Sequence, residues 1–177
     1  MAEVNIEFWR RMASQFGGPV LELCCGAGAV AIPIAAMGLS VTGVDRDVAK
    51  ARAAHDDMDV RWIEADARAL ALPRRFGLVI LTGDAFQAFL AKGDQDALLA
   101  TVRRHLAPEG AFGFDMSKRA GHDRADDVEN LLDAAGFEIV AQYGDWDCAR
   151  FRPTSERLIA LCRLKAFASS PEGSGAA

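Results

Sequence analysis

From Val20 to Gly28 the chain reads Val-Leu-Glu-Leu-Cys-Cys-Gly-Ala-Gly, and this stretch limits the fold more than any other. Its first half is apolar enough for a buried strand, and its second half is too small-residued to continue one. An apolar run from Ala29 to Ala36 then suits a helix. Strand, glycine turn and helix form the unit whose turn presents backbone N–H groups to a nucleotide-like ligand. Glycine supplies free φ there, and room for a ligand to approach the backbone. Gly26-x-Gly28-x-x-Ala31 also fits the dinucleotide fingerprint, so the turn alone does not choose the ligand.

The remaining periodicities extend this unit into a sheet. Val4, Phe8, Met12 and Phe16, with Trp9, fall on one stripe of an N-terminal helix that Gly17-Gly18-Pro19 breaks. A first strand over 20–24 leads to a helix reaching Met37, with Pro33 inside it and Gly38 as its C-terminal cap. Strands are expected over 40–45, 60–64, 75–82 and 111–115, with helices over 47–55 and 94–105. Asp94 is the expected cap of the latter helix, and Arg103, Arg104 and His105 suit its C-terminal dipole. His105 and His55 are expected in solvent. Leu106-Ala-Pro-Glu-Gly110 forms a turn.

A helix over 126–135, closed by Gly136, precedes two longer strands over 137–143 and 157–164. Too little chain separates them for a crossover helix, so they pair antiparallel. The expectation is an α/β fold: a doubly wound, mostly parallel seven-stranded sheet with a C-terminal antiparallel strand pair. One domain spans 1–165, and the Ser/Gly/Ala-rich 166–177 is a disordered tail.

Ligands of such sheets sit at the carboxyl ends of the strands, where strand order reverses. Glu22, Asp45, Asp66, Asp84 and Asp115 all fall at or beside such ends, and that co-location is the strongest functional signal. The net charge of −5 argues against non-specific nucleic-acid binding. No apolar run approaches the roughly 20 residues of a membrane span, and the N-terminus lacks a signal design, so a cytoplasmic protein is expected. Cys24, Cys25, Cys148 and Cys162 have no C-x-x-C spacing, and no metal site is expected.

Taken together, Glu22-Leu-Cys-Cys-Gly26-Ala-Gly28, Gly43-Val-Asp45, Glu64-Ala-Asp66-Ala67 and Leu106-Ala-Pro-Glu-Gly110 resemble the motifs of class I S-adenosylmethionine-dependent methyltransferases. The resemblance covers roughly Phe8 to Leu164. It implies S-adenosyl-L-methionine as cofactor, with Gly26 and Gly28 under its methionine and ribose parts. It implies Asp45 on both ribose hydroxyls, Arg46 flanking the adenine, Asp66 on the adenine amino group and the Ala67 N–H on a ring nitrogen. Glu22 would help hold the methionine ammonium, and Cys24 and Thr82 would complete the cofactor site. Cys24 stands where the family has a glycine, a change tolerable if its side chain points into the sheet.

Asp84, His122 and Tyr143 are the catalytic candidates at the methyl-donor end. The acceptor is an N or O of a small or medium-sized molecule. Few residues lie between Asp115 and the next helix, where family members commonly insert a substrate-covering lobe. The acceptor is therefore too large to be enclosed, or a partner subunit or second copy closes the site; the N-terminal helix could also fold over it. The rival readings are an NAD-binding oxidoreductase and a non-catalytic S-adenosylmethionine-binding module.

Overall fold

The computed structural model describes residues 4–49, 51, 59–117 and 125–166, and for 125 and 126 the backbone only. His55 and His122 lie outside the described residues, as do most of the expected helix over 47–55 and all but the first residue of the expected tail.

Helix α1 (Ile6–Phe16) begins because the Asn5 side chain accepts the Phe8 N–H at 2.9 Å. It ends at Gly17, whose φ of +72° suits glycine. Strand β1 (Val20–Leu23) is buried at all four positions and lies between β2 (Val41–Asp45) and β4 (Phe76–Leu81), parallel to both. With β3 (Val60–Glu64), β5 (Leu106–Ser117), β6 (Phe137–Tyr143) and β7 (Arg157–Leu164) the strand order is β3-β2-β1-β4-β5-β7-β6. Only β7 runs against its neighbours, pairing antiparallel with both β5 and β6. The expected sheet is therefore the observed one, and its order reverses between β1 and β4.

Two apolar layers cover the sheet. On one face α1 and α2 (Ala31–Ala35) bury Phe8, Trp9, Met12 and Ile34 against Val20, Leu78, Ile80 and Ile159. On the other, α3 (Lys92–His105) and α4 (Ala125–Ala134) bury Leu98, Val102, Val128 and Leu132 against Leu21, Leu23, Val79 and Phe112. Period-2 alternation sends Phe112 and Phe114 to the second layer, where Phe86 and Phe137 continue the aromatic stack.

Four local expectations are corrected. Helix α2 stops at Ala35 instead of Met37, because tight i→i+3 bonds from Met37 to Ile34 and from Gly38 to Ala35 close it early. Leu106–Gly110 is no separate turn: it lies inside β5 as an irregularity, where register passes from Phe76↔Leu106 to Leu78↔Ala111. Asp94 is not the cap of α3; Ala91 is, with no side-chain bond, and Asp94 occupies the first turn. His105 is wholly buried instead of solvated. Its Nδ1 lies 2.8 Å from the Thr101 carbonyl and its Nε2 accepts the Leu72 N–H at 2.8 Å, the pattern of a neutral ring. Burial, first of all, lowers its pKa, so it adds no charge to the helix end.

Gly113 supplies the space that seats α1. A Cβ there would lie 2.7 Å from Cζ3 of the fully buried Trp9 and 3.1 Å from Leu161. Gly113→Ala is expected to cost about 1–3 kcal/mol by overpacking. Adding Trp9→Phe should recover part of that loss, and urea denaturation of the two single variants and the pair measures the coupling.

Candidate cofactor and acceptor site

Immediately after β1 the backbone turns through three residues of positive φ: Cys24 at +56°, Gly26 at +52° and Gly28 at +80°. Cys24 thus adopts the conformation that favours glycine, about 1–2 kcal/mol above the right-handed form for an L-residue. Cys24 is partly buried against the core layer and also lines a cleft. Burial, then the nearby Asp45 and Asp66, push its thiol up to about 11, so it stays protonated at neutral pH. Gly28 and Gly43 have a second duty: a Cβ on either would collide with the Trp62 ring, at 2.5 and 2.6 Å.

Glu22 is the most buried of the expected cofactor carboxylates. It lies in the middle of β1, 2% exposed, on the α1/α2 face beneath the glycine turn. Oε1 accepts the Thr82 hydroxyl at 3.1 Å, and Oε2 has no partner among the described residues. Burial drives its pKa up to about 8; the Thr82 hydroxyl and an Ala31 backbone bond pull the other way, and Asp45 adds to the rise.

Asp45 ends β2, as expected. Its Oδ2 accepts the Gly26 N–H at 2.9 Å and its Oδ1 the Asp47 N–H at 3.1 Å. A carboxylate has about four lone-pair sites, so among the described residues Asp45 keeps one open on each oxygen. Asp66 follows β3 and is in the opposite condition. Oδ1 accepts Arg68 N at 2.9 Å and Arg68 Nε at 3.0 Å, while Oδ2 accepts Arg68 Nη2 at 2.6 Å and Arg46 Nη2 at 2.7 Å. The Arg68 side chain, then its backbone N–H, holds Asp66 far below the usual carboxylate range. Arg68 also reaches Asp94 at 2.5 Å, joining the end of β3 to the start of α3. These residues line a cleft of about 410 Å³ with Ala67, Ala85 and Phe89, within the size range of small-ligand sites.

A second polar cluster closes the ends of β4 and β5. Asp84, at φ +63°, heads the short 3-10 helix Ala85–Ala88 without capping it. Its oxygens instead accept the Ser117 N–H at 2.5 Å and the Ser117 hydroxyl at 2.6 Å. Asp115, wholly buried and two residues before the end of β5, accepts the Gly83 N–H at 2.9 Å and Arg157 Nη1 at 2.9 Å. Burial raises it to about 6, against the pull of Gly83 and Arg157. Arg157 stacks 4.7 Å from the Trp146 ring, which meets Phe8 at 5.5 Å. Tyr143, a catalytic candidate, packs edge-on against Phe8 at 6.0 Å. Val4 lies beside the turn, 3.1 Å from where a Gly83 Cβ would sit. The N-terminal segment therefore borders this end of the site.

The sequence reading missed Arg68, Arg157 and Trp62. The signal for the two arginines was the acids themselves, since partly buried carboxylates require cations or N–H donors nearby. Among the described residues no helix is long and apolar enough to cross a membrane, and no group of three or more His, Cys, Asp or Glu is placed to hold a metal.

Glu22 makes the empty protein pH-sensitive in a definite direction. Its folded pKa of about 8 exceeds the ordinary 4.5, so the folded state binds the extra proton and stability falls as pH rises through that interval. Asp115 acts likewise only up to about 6. Between about pH 6.5 and 7.5 the parent should lose up to about 1.4 kcal/mol more stability than Glu22→Gln, in which no proton can leave. Urea denaturation of both proteins across that interval, without added ligand, measures the difference; parallel curves would refute it.

A family model described as "Methyltransferase domain" matches residues 20–110, from the start of β1 into β5. The cypemycin N-terminal methyltransferase of a Streptomyces species is 34% identical over 149 residues, covering 71% of this chain and 59% of that protein. The putative methyltransferase YqeM of Bacillus subtilis (strain 168) is 28% identical over 104 residues, covering 56% of this chain and 42% of that protein. The chain thus spans about half the length of these two relatives. Among solved structures, the CcbJ methyltransferase from Streptomyces caelestis superposes with a TM-score of 0.83 at 19% identity, over 91% of this chain and 90% of that one. The glycopeptide N-methyltransferase MtfA, in complex with S-adenosyl-L-methionine, gives 0.74 at 21% identity, over 90% and 93%. Fold, turn and matched motifs agree: the chain belongs to the methyltransferase domain family.

Proposed function

We propose that this protein is an S-adenosyl-L-methionine-dependent methyltransferase of the cytoplasm, acting on an amino group of a peptide-like acceptor. The observation that carries the cofactor reading is the unpartnered Oε2 of buried Glu22 beneath the glycine turn. A cationic ammonium beside it would favour the ionised carboxylate and supply the missing donor. The two open lone pairs of Asp45 fit the paired hydroxyls of a ribose. A dinucleotide pyrophosphate offers buried Glu22 neither a cation nor a hydrogen-bond donor, which disfavours the NAD reading.

Bound, the cofactor supplies an activated methyl group on a sulfonium. The task left to the chain is then alignment and exclusion of water. Glu22, Gly26 and Asp45 would hold the cofactor, and the β4–β5 end would hold the acceptor. Among the described residues that end sets two carboxylates, Asp84 and Asp115, against one cation, Arg157, an arrangement that suits an amine acceptor. The names of two similar proteins, an N-terminal and a glycopeptide N-methyltransferase, support the same choice of atom. Asp84 acts here by fixing Ser117 and the floor of the site, since both its oxygens are engaged by Ser117. Tyr143 contributes packing. We further propose that the acceptor is too large for one chain to enclose, or that a second copy closes over it.

Calorimetry with S-adenosylmethionine, S-adenosylhomocysteine and NAD tests the cofactor, and S-adenosylhomocysteine release with peptide amines tests the reaction. A protein that binds the cofactor without turnover would favour the non-catalytic reading. Asp45→Ala removes two charge-assisted bonds to the ribose and should weaken S-adenosylmethionine binding at least a hundredfold, about 3 kcal/mol. Binding within twofold of the parent would refute the ribose assignment.

A further inference from the structure

The end of the sheet remote from the glycine turn carries another cleft, of about 740 Å³, in which five cations face two acids although the whole chain is acidic, at −5. Arg75 enters it from just before β4, Arg103 and Arg104 from the last turn of α3, and Arg163 and Lys165 from the end of β7. Because β7 runs against β5, its last residues lie beside the first part of that strand. The five cations are not equivalent. Lys165 is paired with Asp133, and Arg103 donates to the Ala135 carbonyl at 3.2 Å, in space that Gly136 leaves open. Arg75 and Arg104 donate from Nη1 to main-chain carbonyls, that of Leu106 at 2.8 Å and that of Leu70 at 3.1 Å. A carbonyl fixes a guanidinium without cancelling its charge, and each guanidinium keeps further N–H groups to offer. Neither these two nor Arg163 has an ion-pair partner among the described residues. Burial first of all lowers the pKa of His105 nearby, and the charges of Arg104 and Arg75 add to the fall, so both fields reach one place.

We propose that this cleft binds a compact, multiply charged phosphate ligand, a diphosphate or triphosphate, held by Arg75, Arg104 and Arg163. Such a site is separate from the cofactor cleft and does not require it to be filled. Cations without ion-pair partners call for an anion of more than one charge, and a guanidinium fork meets two phosphate oxygens at once. The main-chain anchors of Arg75 and Arg104 restrict both side chains beforehand, which lowers the cost of ordering them on a ligand. The volume lies within the range of small-ligand sites. Glu109 and Glu138 share the lining and would repel a phosphate backbone running along the cleft, so a compact anion fits better than a nucleic acid. Leu106 is also the C-cap of α3, so Arg75 has a structural duty besides, which the choice of substitution must respect.

Calorimetry with tripolyphosphate, in a phosphate-free buffer at about 0.15 M salt to screen loose surface charge, is expected to show a single bound anion per chain. Arg75→Gln, Arg104→Gln and Arg163→Gln should each weaken binding about tenfold or more, because a charge-assisted contact is lost. Glutamine keeps an amide donor for the carbonyl anchors, and thermal unfolding of each variant checks that it is folded. Arg150→Gln removes the same charge from the hairpin between β6 and β7, at the other end of the sheet, and should leave the affinity within about twofold. Citrate, whose carboxylates carry less charge per group than phosphates, should bind at least about tenfold more weakly. Excess S-adenosylhomocysteine should not displace the tripolyphosphate. A parent that binds no tripolyphosphate at this salt, folded arginine variants with parental affinity, or an equal loss in Arg150→Gln would each overturn the site. Citrate binding as tight as that of tripolyphosphate would overturn the phosphate assignment, and displacement by S-adenosylhomocysteine would overturn its separation from the cofactor cleft.

Discussion

Glu22 places a carboxyl group in the middle of a four-residue strand that is buried along its whole length. The strand lies at the reversal point of the sheet, so both of its edges are occupied and both of its faces are covered. An ionised acid there would lack a compensating cation, and the protein keeps it protonated up to about pH 8 instead. A well-packed apolar residue at this position would serve the fold better. Glu22 lies under the turn that ends β1, with one oxygen on Thr82 of the neighbouring strand and the other unpartnered among the described residues. The orphaned oxygen of a buried acid is a local cost to the fold.

The other acids at this end of the sheet are managed differently. Asp66 is neutralised by Arg46 and Arg68 on one side of the turn, and Asp84 and Asp115 share Arg157 on the other. Glu22, between these clusters, has no ion-pair partner among the described residues. Arginine suits both flanking clusters: its planar fork satisfies two carboxylate oxygens at once, as Arg68 does on Asp66.

The architecture was legible in the sequence because it depends on apolar runs, glycine punctuation and loop lengths. Strand β3 and the last two strands fall on their expected residues, and the antiparallel pairing followed from the short segment before Arg157. What failed was whatever depends on partners distant in sequence. Depth is one such property: Glu22 sits one residue inside its strand, and the two flanking strands decide that it is buried. Occupancy is another, since nothing local to Glu64-Ala-Asp66-Ala67 says that Arg46 will join Arg68 on the acid. Asp94 lacked the side-chain role of a cap because Arg68, 26 residues earlier, draws it across the cleft. His105 carried a basic pattern at a helix end, yet Leu72 and Thr101 give both ring nitrogens partners in the interior.

The polar cluster at the ends of β4 and β5 is tied to α1 through a chain of contacts. Trp9 occupies the space left by Gly113, which fixes the rotation of the helix against β5. That rotation brings Phe8 against Tyr143 and Trp146. Trp146 in turn lies over the Arg157 guanidinium, which binds Asp115. Each step is a packed or charged contact with few alternatives, so a shift of α1 must move Arg157 or expose the Phe8–Trp146 edge. Arg11, one turn further along the helix, adds a contact to Cys148 in the same hairpin. The segment that opens the chain therefore does more than cover one face of the sheet. Its packing bears on where Arg157 stands beside Asp84 and Asp115.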